Sequence, residues 1–260
     1  PILGTVFEHR LLLLAETFPP SVGGIQSYLA GLWGALPPGA SFVVASAQPD
    51  DREFDARQSY RVVRVPVKTL AYPRWRGAWQ AARDLVRRER IEAVVCGKAL
   101  FEGRAALWLQ REFHLPFVVC THAMEIGTWL TGWKTHRDLL EVLRSSSRVT
   151  VVNTDTAVLL RSHGIPDSRL VKLYPGVDEE YFALPPTAEA FRRRWKLEGK
   201  LVVTSVARLV PRKGHAVLLR AFADVAKKSP RAHLLIVGEG PERASLQRLT
   251  EDLRCQHAVT

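Results

Sequence analysis

The sequence predicts an α/β protein built from two doubly wound parallel-sheet domains, the second of them incomplete. Three observations carry this. Short runs that are apolar throughout, such as LLLLA, SFVVAS, AVVC and FVVCT, alternate with amphipathic segments of helical length. Strands without a polar face are covered on both sides, which is the condition of a parallel sheet between helices. The pattern pauses once, at a polar stretch bracketed by Pro175-Gly176 and Pro185-Pro186, and then restarts.

In chain order, Leu11 to Glu16 reads as a core strand and IQSYLAGLWGAL as the helix after it. Strands follow at SFVVAS, YRVVRVPV, EAVVCG, PFVVCT and RVTVVN, and a further short one at Val171 to Tyr174. The helices between them are Arg74 to Arg90, FEGRAALWLQREF, HRDLLEVLRSSS and TDTAVLLRSHG. The bracketed segment VDEEYFAL reads as a connection, so the domains are placed at residues 1–184 and 185–260. The second holds a helix at Ala188 to Leu197, a buried strand LVVTSVA, the helix GHAVLLRAFADVAKK, the strand AHLLIVG and the helix ERASLQRLTEDL. Two strands and three helices leave a sheet edge open and helix faces uncovered, which predicts self-association through this domain.

Hydrophobic residues make up 47% of the chain and charged residues 24%, a globular composition. No apolar run reaches the roughly 18 residues that span a bilayer, and the apolar start lacks a basic leader and a small-residue cleavage site. A cytoplasmic location is expected. Cys96, Cys120 and Cys255 are odd in number, and two lie in apolar runs, which predicts reduced packing residues. The net charge of +11 is uneven: residues 1–184 carry 22 Lys and Arg against 19 Asp and Glu, residues 185–260 carry 15 against 7. That field favours an anionic ligand over the second domain. Nucleic acid is excluded as a partner because no aromatic residues interleave with Lys and Arg on a strand platform.

Two phosphate cradles are visible. Gly23-Gly24 follows the first strand and opens a helix, so backbone N–H groups can approach phosphate oxygens there; a plain tight turn after Pro19-Pro20 is the other reading. Arg208 and Lys213 flank Pro211 in a stiffened loop before a helix N-terminus, an arrangement that grips a diphosphate. One ligand engaged by both halves accounts for two such cradles. Gly238 and Gly240 end a strand and open a helix, so their amides either face a nucleotide or serve the turn. His122 stands at the C-terminal edge of a parallel strand, where open α/β sheets place ligands, with Glu125 nearby. His136, His163, His215 and His233 have no metal-ligand spacing, and no metal site is expected. On the Arg74 to Arg90 helix, Trp75, Trp79, Ala82 and Val86 share one stripe flanked by six arginines. It is either a covering helix or a basic amphipathic contact with an anionic membrane.

Five segments in this order resemble retaining glycosyltransferases of the two-domain GT-B fold, specifically family 4: FPPSVGGIQSYL, THAME, YPGVDEEYF, VARLVPRKGHAVLLRAF and LLIVGEGPERASLQ. Within the family, the first segment is most similar to mannosyltransferases acting on phosphatidylinositol mannosides. The resemblance implies transfer of a hexose from a nucleoside-diphosphate sugar to a glycan or lipid acceptor, with retention at the anomeric carbon and without metal. It implies that Arg208, Lys213 and the Gly23-Gly24 amides stabilise the leaving diphosphate, that His122 orients the sugar and that the enzyme works at the inner face of the plasma membrane. It also implies a pair of glutamates seven residues apart, late in the second domain. Glu239 and Glu242 do not match that pair, so the chain is expected to be C-terminally truncated and inactive alone. A non-catalytic nucleotide or polyanion-binding module and a GT-B sugar-nucleotide epimerase are the alternatives.

Overall fold

The computed structural model describes residues 9–66, 75–177, 179–183 and 188–260, except the side chains of Trp75, Met124, Tyr181 and Phe182. They form two compact units, 1–177 and 178–260. The expected boundary at 184/185 lies outside the described residues.

The first unit is a seven-stranded sheet: β1 (Leu11–Ala15), β2 (Ser41–Ser46), β3 (Arg61–Val65), β4 (Ala93–Cys96), β5 (Phe117–Thr121), β6 (Arg148–Val151) and β7 (Leu170–Lys172). Their order is β3-β2-β1-β4-β5-β6-β7 and every pairing is parallel. The helices are α1 (Gly24–Gly34), α2 (Asp51–Ala56), α3 (Trp75–Glu89), α4 (Phe101–Phe113), α5 (Met124–Thr131), α6 (Trp133–Ser145) and α7 (Thr154–Ser162). Strand β1 shows why the sheet is covered on both faces. Leu12 and Leu14 pack in the core shared with α3, α4 and α6, while Leu13 and Ala15 join Leu29 and Trp33 of α1 on the other side. Side chains alternate across a strand, so an all-apolar run feeds two cores at once. Trp33 keeps its indole N–H satisfied by donating to the Phe42 carbonyl at 3.1 Å.

Helices α2 and α5 are absent from the sequence expectation, and the last strand of this unit ends at Lys172 rather than Tyr174. DREFDA is under two turns long, and MEIGTWLT breaks its periodicity with Gly127 and two threonines. On α3, Ala82 is fully buried and Val86 nearly so, while Trp79 meets Trp108 of α4 edge-on at 6.1 Å. Arg83 and Arg87 both pair with Glu112 of α4. The described part of this stripe therefore faces the protein as a covering helix. Arg74 lies outside the described residues.

The second unit comprises α8 (Glu180–Ala183), α9 (Ala188–Arg194), β8 (Leu201–Val206), α10 (His215–Lys228), β9 (Ala232–Val237) and α11 (Arg243–Asp252). Helix α8 lay in the segment read as a connection, and α9 ends three residues before the expected Leu197. Strands β8 and β9 pair in parallel from Leu201 opposite Ala232 to Val206 opposite Val237. On its other side β9 bonds the chain end: Ile236 N–H donates to the Thr260 carbonyl at 2.8 Å and Thr260 N–H to Leu234 at 2.9 Å. The expectation of a buried β8 is overturned. Leu201 is 57% exposed, Val203 45% and Val206 74%. The small core of this unit instead gathers Leu219 and Phe222 of α10, Leu234 of β9 and Leu246 of α11, and no described strand covers the far side of β8. The cysteines are free and buried, Cys96 and Cys120 in the apolar runs that predicted it and Cys255 outside them.

Candidate active site

Strands β1, β4 and β5 are neighbours at the centre of the first sheet, so the loops leaving their C-terminal ends gather at one place. The chain order reverses here, between β1 and β4, which is where doubly wound sheets bind ligands. Gly97, just past β4, donates its N–H to the Leu14 carbonyl at 2.8 Å. A Cβ on it would stand 2.8 Å from Leu29 Cδ1 and 3.2 Å from the Leu14 carbonyl, so only glycine lets the two exits close up.

His122 follows β5. Its Nε2 lies 2.8 Å from the Gly97 carbonyl, which fixes the proton on Nε2 and leaves Nδ1 as the acceptor nitrogen. Its ring meets Tyr28 of α1 edge-on at 5.6 Å. Burial lowers its pKa below the ordinary 6.5, so it is neutral at neutral pH. Glu125 accepts the His122 backbone N–H at 2.5 Å, tying the turn into α5. Between them Ala123 has φ 70° and ψ −66°, a region that costs a non-glycine residue about 1–3 kcal/mol. Strain of this kind concentrates at sites whose geometry is fixed for a purpose.

Before Gly23-Gly24 the chain turns at Pro19-Pro20, and the Gln26 side chain folds back against Gly23. Gly23 is extended, with φ 171°, and a Cβ on Gly24 would meet nothing within 4 Å. Neither glycine supplies a left-handed turn; Gly24 opens α1 onto free space. This helix has no side-chain cap and no acid in its first turn, which leaves its N-terminal N–H groups facing outward. Arg64 holds the loop before it. Its guanidinium pairs with Asp55 at 2.6 Å and donates to the Pro19 carbonyl at 2.6 Å and the Ser46 carbonyl at 3.1 Å.

In the second unit, Arg208 and Lys213 are exposed, and neither side chain makes a hydrogen bond or ion pair among the described residues. The loop between them is rigid. Leu209 N–H donates to the Glu239 carbonyl at 2.9 Å, Glu242 N–H returns a bond to the Leu209 carbonyl at 3.1 Å, and Pro211–Lys213 forms a single 3-10 turn. Gly214, at φ 70°, then caps α10, whose first turn has no acid. Gly238 and Gly240 are explained by this loop. A Cβ on Gly238 would lie 2.9 Å from the Ala207 carbonyl carbon, and one on Gly240 2.7 Å from that of Leu209. The two glycines let one loop lie flat on the other.

Sequence reasoning missed Tyr28, Gly97, Lys98, Glu16 and Glu102. Glu102, in the first turn of α4, is 3% exposed. Its Oε1 accepts the Glu16 backbone N–H at 2.8 Å, and Lys98 Nζ stands 3.7 Å from the Glu16 carboxylate. Burial raises its pKa from 4.5 to about 7. The available signal was position: an acid at the start of the helix that leaves the sheet's C-terminal edge. Among the described residues no helix is long and apolar enough to cross a membrane, and no three His, Cys, Asp or Glu side chains cluster to hold a metal ion.

Two strand-ordered α/β units with these loops define the GT-B architecture of nucleotide-sugar enzymes, and the chain matches two of that class's family models. Residues 22–181 match Glycosyltransferase Family 4 and residues 187–260 match Glycosyl transferases group 1. The chain belongs to glycosyltransferase family 4. It is 36% identical over 255 residues to a GDP-mannose-dependent alpha-(1-6)-phosphatidylinositol monomannoside mannosyltransferase of Mycolicibacterium smegmatis, and 32% identical over 266 residues to the enzyme of that description in Mycobacterium tuberculosis strain H37Rv. Each match covers 96% of this chain and 66% of the relative, so the chain spans just under two thirds of their length. Among solved structures, the Anabaena protein HepE in complex with UDP superimposes with a TM-score of 0.79 at 17% identity, over 96% of this chain and 68% of that one.

Proposed function

We propose that this protein is a mannosyltransferase that takes its sugar from a nucleoside diphosphate and delivers it, with retention, to a lipid-linked acceptor of the phosphatidylinositol mannoside type. The observation that carries the reading is the pair of cations, Arg208 and Lys213, without a side-chain partner among the described residues, on a loop that ends at the N-terminus of α10. As the sugar leaves, negative charge grows on the diphosphate. Two cations and free helix N–H groups already in place stabilise that charge without reorganising. In the first unit the open N-terminus of α1 is a second anion-binding end, and neutral His122, its Nε2 proton committed to Gly97, presents Nδ1 to accept from a sugar hydroxyl. Relatives described as GDP-mannose-dependent support mannose and guanosine as the donor parts. Arg76 and Arg88 of α3 are exposed and support a peripheral contact with an anionic membrane.

The test is mannose transfer from labelled GDP-mannose to phosphatidylinositol monomannoside in vesicles by the 260-residue chain, with the anomeric configuration of the product read by NMR. An α-linked product from α-configured donor, lost in Arg208→Ala, is the outcome this reading predicts, against the inactivity that the unmatched glutamate pair implied. GDP-mannose binding without any transfer would instead support a nucleotide-binding module.

A further inference from the structure

Ile126, Trp129, Leu130 and Trp133 recur at the spacing of one helical stripe, and the structure packs three of them inward. Ile126 is fully buried, Leu130 packs against the large core of the first unit, and Trp129 meets Phe101 of α4 edge-on at 6.2 Å. Trp133 is left out of the stripe and is 80% exposed. Gly132 is the cause: its backbone is extended, at φ −93° and ψ 127°, so α5 stops there and α6 starts afresh. Thr135 fixes the corner. Its Oγ1 lies 2.7 Å from the Trp129 carbonyl and 2.9 Å from that of Gly132, and a Cβ on Gly132 would stand 2.6 Å from it. The corner thus holds a whole indole in solvent, the setting of a side chain that works where an apolar layer meets water.

Position and charge say what covers it. Helix α5 begins just after His122, at the C-terminal edge of the sheet, and α6 runs back the other way: Ser147, just past its end, donates its N–H at 2.8 Å to the carbonyl of Phe117, which starts β5. The 13 residues of α6 span about 20 Å, slightly more than the roughly 17 Å of the five-residue β5, so the corner stands on the His122 edge. Lys134 and Arg137 are exposed beside the indole, Arg137 one turn further along α6. The acids of α6 are engaged: Asp138, mostly buried, lies 3.5 Å from Arg137, and Glu141 pairs with Arg104 and Arg111 of α4. We propose that this corner docks on an anionic membrane, with the Trp133 indole in the headgroup layer and Lys134 and Arg137 against lipid phosphates. A tryptophan flanked by cations suits that layer, which is half apolar and carries a negative surface potential. The inference rests on the reading of a lipid-linked acceptor and adds where the protein meets the lipid, on the edge that carries His122.

The experiment is co-sedimentation of the 260-residue chain with vesicles of phosphatidylcholine and phosphatidylinositol, with neither sugar donor nor acceptor present. The expected result is salt-sensitive binding by the wild type, weakened about tenfold in Trp133→Ser and by a similar factor in Lys134→Gln/Arg137→Gln. Because the indole is exposed, Trp133→Ser should melt at the wild-type temperature. Brominated phosphatidylcholine should quench the wild-type tryptophan emission and lose most of that effect in Trp133→Phe, which reads insertion directly. A wild type that ignores the vesicles would overturn the proposal and leave the corner to a protein partner. Binding untouched in Trp133→Ser but lost in Arg76→Gln/Arg88→Gln would assign the contact to α3 and overturn it too, as would quenching that persists in Trp133→Phe. No transfer takes place in this experiment, so its outcome stands whatever becomes of the transferase reading, and its failure leaves transfer to a soluble acceptor unaffected.

Discussion

Ala123 and Glu102 show at the scale of single residues what the site costs the fold. Ala123 stands at φ 70° because Glu125 and the end of β5 pin the turn on either side. Glycine pays little there, so Ala123→Gly is expected to raise stability by about 1 kcal/mol in chemical denaturation, against the usual penalty for glycine. Glu102 has its folded pKa raised from 4.5 to about 7. Between those values the unfolded chain is ionised while the folded chain still holds the proton. Its contribution to stability is therefore fully present below about pH 4.5 and lost as pH rises to about 7, a fall of roughly 3 kcal/mol. Urea midpoints across that range, flattened in Glu102→Gln, would show it; a parallel pH dependence in the two proteins would not. His122, Arg208 and Lys213 could be singled out from the sequence because they stand in motifs. Glu102 stands in no motif, only its place at the start of α4 pointed to it, and the backbone N–H that it accepts is that of Glu16, 86 residues away.

Elements carry a different lesson. Gly103 of α4 lies against Val142 of α6, and a Cβ there would press on both valine methyls and on its Cβ at 3.4 Å. Alanine in a helix ordinarily gains about 1 kcal/mol over glycine. Here Gly103→Ala is expected to destabilise by about 1–3 kcal/mol, and the sign should reverse in a Val142→Ala background, as a double-mutant cycle would measure. Gly238→Ala should act on the cation loop rather than on the core: its Cβ meets backbone at Ala207, which cannot step aside as a side chain can. Weaker nucleotide binding with little loss of helix content by circular dichroism is the expected outcome. The seven strands of the first unit and the long helices were legible because their apolar periods are unambiguous. Helix α5 was not, with a glycine and two threonines in eight residues, nor was the exposure of β8. An apolar run announces a strand but not which neighbours cover it, and LVVTSV reads the same whether its faces are packed or bare.

The whole molecule divides its work unevenly. The first unit holds the large two-faced core, His122 and the α1 N-terminus, while the second brings the excess positive charge, the small core and the Arg208–Lys213 loop. Membership of glycosyltransferase family 4 agrees with that division, and the order of motifs made the family legible before the fold was known. The contacts made by Gly238 and Gly240 were not legible, because a glycine in sequence does not say whether it faces a ligand or another loop. The central claim is that the second unit grips a diphosphate through two cations that no other described residue engages. Calorimetric titration of GDP into the 260-residue chain and into Arg208→Ala/Lys213→Ala tests it most directly. Because both side chains are exposed and unpartnered, the double variant should melt at the wild-type temperature while its affinity for GDP falls by about a hundredfold or more, each charge-assisted contact being worth about 1.5–3 kcal/mol. A double variant that binds GDP as the wild type does would contradict the account.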